Sequence, residues 1–326
     1  MPFLAYLHRV TARDSLTAIE AEDAMNAILR GEATTAQIAS FLIAMKMKGE
    51  TAAELVGLAR AMRSHANKVD AGLPLVVDTC GTGGDGAGTF NISTVAALVV
   101  AGAGVPVAKH GNRSVSGHFG SADLMEALGV RIAMTAEEAA RAIREVGIGF
   151  LFAPHIHPAM KNAAPARQEL KMRTVFNLLG PLTNPAGAQV QIVGAPSTDA
   201  ARLMASALAE LGGRGWVVHG SDGLDEITTT GPTQVWEIGG GEFEVAPEDF
   251  GVKRAAPESL CGDPVETARK VLAGERGPAR DIVSINAAAA LFVSGAATSY
   301  AEGLATAARS IDSGSALGKL EALRSY

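Results

Sequence analysis

The sequence predicts an α/β protein in which a small helical N-terminal domain precedes a larger α/β domain with a mostly parallel central sheet. Three observations carry that expectation. The 326 residues suffice for two domains, each long enough to bury a core. The first 70 residues hold three helix-start signals, each leading into apolar residues at helical spacing. Beyond Ala71-Gly72-Leu73-Pro74, short β-branched runs alternate with helical stretches, as in a parallel sheet wrapped by helices.

Taken in order, Thr17 with Glu20, Thr34 with Gln37 and Thr51 with Glu54 each fit the S/T-x-x-E/Q capping box. The apolar stripes that follow are Ala21/Ala24/Met25/Ile28, Ile38/Phe41/Leu42/Met45 and Leu55/Leu58/Ala59/Met62. Gly31 and Gly49 stand where the first two helices should stop. Strands are expected at 75–78, 105–108, 149–152, 190–194 and 216–220. Between them come helices at 94–103, 121–129, 135–146 and 198–211, the third opened by a Thr135/Glu138 box. Ala-rich helices at about 264–274, 280–294 and 299–325 close the chain.

Composition removes several function classes. A net charge of −6 with no basic run speaks against nucleic acid or an anionic membrane as partner. The most apolar stretch, Thr94 to Ala108, is 15 residues long and contains Gly102, Gly104 and Pro106, too short to span a bilayer. The start, MPFLAYLHRV, lacks a basic n-region with a long apolar continuation. Cys80 and Cys261 lie 181 positions apart and form neither a disulfide framework nor a zinc pattern. The expectation is a soluble cytoplasmic protein.

Glycine supplies 37 residues, ten of them in 81–120 against three in 1–70, so backbone must come close to something there. Gly81, Gly83 and Gly86 satisfy G-x-G-x-x-G after a predicted strand, but no Asp or Glu occurs from Gly86 to Ala122 to hold a ribose. The Walker pattern is absent as well. What the stretch offers is donors. Asn91-Ile92-Ser93-Thr94 supplies capping side chains and N–H groups at a helix start, a natural anion site. Lys109-His110-Gly111-Asn112-Arg113-Ser114-Val115-Ser116-Gly117 follows the next strand with two cations, hydroxyls and an amide. Two such loops suit a ligand with several phosphates, or are ordinary βα connections. Asp225-Glu226, in a Gly-rich turn after strand 216–220, suits Mg²⁺ bridging carboxylates and phosphates, or is a solvated turn. Nine more glycines lie between Gly212 and Gly241, the stretch that carries these acids.

Together Gly81-Thr82-Gly83-Gly84-Asp85, Thr89-Phe90-Asn91-Ile92-Ser93-Thr94, Lys109-His110-Gly111-Asn112-Arg113-Ser114 and Leu224-Asp225-Glu226 resemble the anthranilate phosphoribosyltransferase family. The likeness extends to Arg173-Thr174-Val175-Phe176-Asn177-Leu178-Leu179-Gly180-Pro181-Leu182-Thr183-Asn184-Pro185 and covers essentially the whole chain. It implies a nucleoside phosphorylase/phosphoribosyltransferase-like fold. Residues 1–71, joined by part of about 155–185, would form the helical domain, and 72–326 the domain binding phosphoribosyl pyrophosphate. The implied reaction is attack of anthranilate's amine on C1 of that donor, a step of tryptophan synthesis, with Mg²⁺ and a homodimer.

By position, the resemblance assigns Gly81, Gly84, Asp85 and Thr89 to the diphosphate and ribose, and Asn91, Ile92, Ser93 and Thr94 to phosphate oxygens. Lys109, His110, Gly111, Asn112, Arg113, Ser114, Val115, Ser116, Gly117 and Ser121 would complete the donor site. Ser93, Asp225 and Glu226 would hold the metal; Gly81, His110, Asn112 and Arg167 would border anthranilate, with Arg167 facing its carboxylate and His157 at the entrance. No general base is assigned, because the aniline nitrogen is already neutral at pH 7; His110 stands as a candidate helper. His155-Ile156-His157 alone is a weak metal signal. One departure falls at Ser116-Gly117-His118-Phe119-Gly120, where the family commonly has Ser-Ser-Lys-Ser-Gly, so a hydroxyl and a lysine are lost. The alternatives are a related pyrimidine-nucleoside phosphorylase, a phosphoribosyltransferase with another aromatic acceptor, and a non-catalytic phosphosugar-binding regulator.

Overall fold

The computed structural model describes residues 2–83, 88–114 and 119–326. Four helices open the chain: α1 (Phe3–Thr11), α2 (Ala18–Leu29), α3 (Thr35–Lys48) and α4 (Ala52–Ser64). The last three start at their capping boxes. Thr17, Thr34 and Thr51 each accept the N–H three positions on, while Glu20, Gln37 and Glu54 accept the N-cap N–H in return. The expected stripes are buried, and Gly31 and Gly49 end α2 and α3 with φ of 74° and 88°. Helix α1 extends the bundle beyond the sequence reading. It buries Phe3, Tyr6, Leu7 and Val10, a helical stripe carried by fewer than ten residues and therefore easy to miss.

Among the described residues, seven strands form one sheet: β1 (Val77–Asp78), β2 (Val107–Gly111), β3 (Ile148–Phe152), β4 (Val190–Gly194), β5 (Arg214–Gly220), β6 (Thr233–Glu237) and β7 (Glu242–Val245). Their order is β3-β2-β1-β4-β5-β6-β7, with β1 to β5 parallel and β6 and β7 antiparallel. β1 is shorter than the expected 75–78 because the Val76 N–H donates to the Gln189 side chain, not to a neighbouring strand. The β6–β7 hairpin corrects the glycine argument. Gly239, Gly240 and Gly241 serve its turn, closed by the Glu237 N–H on the Gly241 carbonyl, and have no part in the acidic turn.

The remaining helices are α5 (Ile92–Gly102), α6 (Ser121–Ala127), α7 (Ala136–Glu145), α8 (Ala153–Ile156), α9 (Ala164–Leu170), α10 (Val175–Leu182), α11 (Thr198–Glu210), α12 (Pro264–Leu272), α13 (Pro278–Ser294), α14 (Tyr300–Asp312) and α15 (Ser315–Arg324). The single helix expected over 299–325 is two. Gly314 takes φ 74°, which turns the chain so that both pieces pack on α5; the Ser310 hydroxyl donates to the Val99 carbonyl at 2.8 Å.

Alternation along the strands divides the interior in two. Ile192, Trp216, Val218 and Val235 join the core of α5, α13, α14 and α15. Val193, Val217 and Trp236 point the other way, into a core shared with α11, the N-terminal bundle and Ala163, Ala166, Val175, Phe176, Leu179 and Leu182 of 163–182. The bundle thus rests on one sheet face, beside the strand ends. Among the described residues no helix is long and apolar enough to cross a membrane.

The α3–α4 junction depends on one buried ion pair. Glu54 accepts from Lys48 at 2.9 Å and from the N–H groups of Leu16 and Thr51 at 2.9 and 2.8 Å. Glu54→Ala would strand a buried ammonium and two amides, so urea unfolding should show a loss of about 3–5 kcal/mol.

Candidate active site

The strand order places a crevice before any side chain is considered. The chain leaves β1 toward β2 on one side and returns to pair β4 on the other. Open α/β sheets bind ligands at such a reversal, outside the carboxyl ends of the strands. The loop after β1, the end of β2, the N-terminus of α5 and the turn after β5 meet there.

The meeting is close. A Cβ on Gly194, at the end of β4, would lie 1.7 Å from the Asp225 carbonyl oxygen, and one on Gly81 would lie 2.8 Å from Asp225 Oδ2. With both positions glycine, Asp225 Oδ2 accepts the Gly83 N–H at 2.7 Å and Glu226 Oε1 accepts the Ser93 N–H at 3.1 Å. The expected side-chain cap at α5 is not made. Asn91 instead donates to the Phe119 carbonyl at 2.9 Å, and the Glu226 carboxylate arrives from across the sheet to meet the helix's positive end. Thr82 Oγ1, Asn91 Oδ1, Thr94 Oγ1 and His110 Nε2 are buried with no hydrogen-bond partner among the described residues. Buried polar atoms are almost always paired, so four of them on the elements meeting here mark a place for a polar ligand.

Below the loops lies a charged layer. Lys109 is buried and donates to the Thr79 carbonyl at 2.7 Å, while the Thr79 hydroxyl donates to the Ser93 carbonyl at 2.8 Å. Asp78 accepts from Asn184 at 2.7 Å and from the His110 N–H at 3.3 Å; burial pushes its carboxyl up to about 6, against the pull of Lys109. Cys80 is no nucleophile, since burial pushes its thiol up to about 12. Beside Thr183, which bonds Leu179 and Gly180 locally, three side chains from elsewhere in the fold take the last carbonyls of α10. His110 Nδ1 donates to Gly180 at 3.1 Å, Gln191 to Pro181 at 2.8 Å and Arg63 to Leu182 at 2.7 Å. That bond leaves Nε2 of the neutral imidazole as an acceptor.

On the bundle side, Arg167 lies over the Phe176 ring, 5.1 Å from its centroid, and makes no ion pair among the described residues. The His157 ring stands 5.2 Å from that of His110, whereas His155 is exposed, so the two histidines of the H-x-H do not converge. Arg173 donates to the Gly83 carbonyl, bringing the 173–185 segment onto the glycine loop.

Residues 73–317 match the model described as glycosyl transferase family, a/b domain, and residues 4–66 the helical bundle domain of the same family. A curated anthranilate phosphoribosyltransferase of Solibacter usitatus is 60% identical over 336 aligned positions, covering 100% of this chain and 99% of that one. The chain belongs to the anthranilate phosphoribosyltransferase family. A second member, from Moorella thermoacetica, is 53% identical, covering 98% of this chain and 96% of its own. The crystal structure of the Thermus thermophilus anthranilate phosphoribosyltransferase superposes with a TM-score of 0.94 at 44% identity, over 98% of both chains. The Saccharomyces cerevisiae enzyme in complex with phosphoribosyl pyrophosphate and Mg superposes at 0.91 with 30% identity, over 99% of this chain and 97% of that one.

Within this anthranilate phosphoribosyltransferase family fold, Gly81, Thr89, Ile92, Ser93, Thr94, Lys109, His110, Gly111 and Asn112 all lie on the converging strand ends and loops. Ser121 caps the Asn112 loop by accepting its N–H at 3.1 Å. Arg113 turns aside, pairing with Asp123 at 2.7 Å and Glu126 at 2.8 Å, so its cation anchors the loop to α6. Gly84, Asp85, Val115, Ser116 and Gly117 lie outside the described residues, as does His118 of the departure from the family pattern. Sequence reasoning assigns no role to Gly194, Asn184 or Gln191, whose contacts arise only when distant segments meet. Burial pushes His110 down to about 3 and His157 to about 4, from an ordinary 6.5. Both are therefore neutral in the fold, and the stability they add is present above about pH 6.5 and lost as pH falls toward those values. His157→Gln should flatten the fall in urea-unfolding stability between pH 6.5 and pH 4.

Proposed function

We propose that this chain transfers the phosphoribosyl group of phosphoribosyl pyrophosphate to the amine of anthranilate and releases pyrophosphate, in tryptophan biosynthesis. The observation that carries the reading is the set of buried atoms left without a partner among the described residues, Thr82 Oγ1, Asn91 Oδ1, Thr94 Oγ1 and His110 Nε2, on the elements that meet at the strand reversal. The nitrogen lone pair forms the bond to C1 while the C1–O bond breaks, and its electron pair leaves with pyrophosphate. The amine then gives up its proton to solvent. Loops around Gly81, Thr89, Asn91 to Thr94 and Lys109 to Ser114, with Ser121, would hold the donor, joined by Gly84, Asp85, Val115, Ser116 and Gly117. Asp225, Glu226 and the Ser93 hydroxyl are hard oxygen ligands of the kind Mg²⁺ takes together with substrate phosphates. Bound there, the ion would offset charge on the departing pyrophosphate.

His110 is too weak a base to remove a proton, with its pKa near 3, but its Nε2 can accept an N–H and orient the amine. Arg167 is assigned to the anthranilate carboxylate, Gly81 and Asn112 to the walls of that pocket, and His157 to its entrance. Holding the two reactants together supplies much of the rest. The same reading divides the chain at about 71/72, assigns part of 155–185 to the bundle, and entails a cytoplasmic homodimer. Full-length relatives of one family favour it over a nucleoside phosphorylase.

Loss of anthranilate fluorescence with pyrophosphate release, dependent on both Mg²⁺ and donor, tests the proposal; release of pyrophosphate only with a different amine would overturn the acceptor. Arg167→Ala should raise the anthranilate KM about 10- to 100-fold with a smaller change in kcat, as for loss of a charge-assisted bond. Asp225→Ala should abolish the response of activity to Mg²⁺ in steady-state titrations.

A further inference from the structure

The acidic turn is held from behind by a residue that the functional reading does not use. Asn286 is buried on α13, the 17-residue helix packed under β4 and β5. Its Oδ1 accepts the Ile227 N–H at 3.0 Å, and its Nδ2 donates to the Ile227 carbonyl at 2.8 Å. The second Nδ2 hydrogen goes to the Ile282 carbonyl at 2.8 Å, which fixes the amide against its own helix. A side-chain amide thus pairs with both backbone groups of the residue directly after Glu226. Leu224 and Ile227, on either side of the acids, are buried at 2% and 1% exposure, so the turn is pinned at both ends and between them presses its Asp225 carbonyl against Gly194.

We propose that Asn286 is a positioning residue for the Asp225–Glu226 pair, setting where the two carboxylates stand and hence how well they hold Mg²⁺ with the donor. The inference rests on the metal-binding reading of those acids. The physical reason is leverage. Consecutive Cα atoms are held about 3.8 Å apart, so a shift of the Ile227 backbone carries the Glu226 backbone with it. Mg²⁺ demands near-octahedral oxygen ligands at about 2.0–2.1 Å, so a displacement of a few tenths of an ångström matters. An aliphatic residue at 286 could fill the space but would leave the Ile227 N–H and carbonyl buried and unpaired, and the turn would move to satisfy them.

The test is calorimetric binding of phosphoribosyl pyrophosphate across a Mg²⁺ series, with wild type, Asn286→Ala, Asn286→Ser and Leu291→Ala. Leu291 is a buried residue five positions further along α13 and serves as the control for destabilisation alone. The Asn286 variants should need about 10- to 100-fold more Mg²⁺ for half-maximal donor binding, the usual size of a lost outer-shell contact. Their anthranilate KM should stay within about twofold of wild type at saturating Mg²⁺, and Leu291→Ala should keep the wild-type Mg²⁺ midpoint despite a lower Tm. An unchanged midpoint in folded Asn286 variants would overturn the proposal, as would an equal shift in Leu291→Ala. Failure of both Asn286 variants to fold would also overturn it, assigning the side chain to the fold instead. If wild type itself bound the donor without regard to Mg²⁺, the reading of the acids would fall, and the positioning role with it.

Discussion

The site depends on how closely the Asp225–Glu226 turn approaches the ends of β1 and β4. No side chain fits at Gly194 or Gly81 without striking Asp225, so the turn can settle there only over bare backbone. Once seated, it places one carboxylate on the Gly83 N–H and the other on the first turn of α5. A carboxylate at a helix N-terminus is favourable by about 0.3–1 kcal/mol, through the same unpaired donors and aligned dipoles that would receive a phosphate. The acids therefore stand beside the anion-binding groups they would serve with a metal between them.

The second constraint comes from α10. Its last carbonyls are reached by His110 from β2, Gln191 from β4 and Arg63 from α4, so strand ends and bundle share one helix terminus. Asn184, two residues past that helix, bonds Asp78 at the end of β1 and the Ala108 carbonyl in β2. The strand ends and the bundle are thereby tied to the same short segment. The tie also sets the state of His110: with Nδ1 committed and the ring buried, the imidazole stays neutral at pH 7 and holds Nε2 as an acceptor.

Much of this was legible in the chain before folding. Capping boxes are local, spanning four residues, and Thr17, Thr34, Thr51 and Thr135 all cap the helices they announce. Short runs of β-branched or large apolar residues located all five parallel strands to within a few positions. What local pattern missed was set by partners elsewhere. Gln189 shortens β1, Gly314 breaks the last helix where both halves must reach α5, and Gly239 to Gly241 belong to a hairpin. The cations of the second loop carried charge in sequence but not direction: Lys109 points inward to Thr79 and Arg113 outward to Asp123 and Glu126.

By itself the sequence determined the class of elements, the order of the glycine, Lys-His-Gly-Asn and Asp-Glu motifs, and the family they spell. These are carried by neighbours along the chain, where hydrogen-bonding reach and hydrophobic period act over a few residues. Tertiary structure decided which of those groups meet. The strand order brings residue 225 onto residues 81, 83 and 194, and residue 286 behind residue 227, contacts that span up to 144 positions between Gly81 and Asp225. No local rule encodes such pairings, because they follow from sheet order and from the absence of a Cβ at two facing glycines.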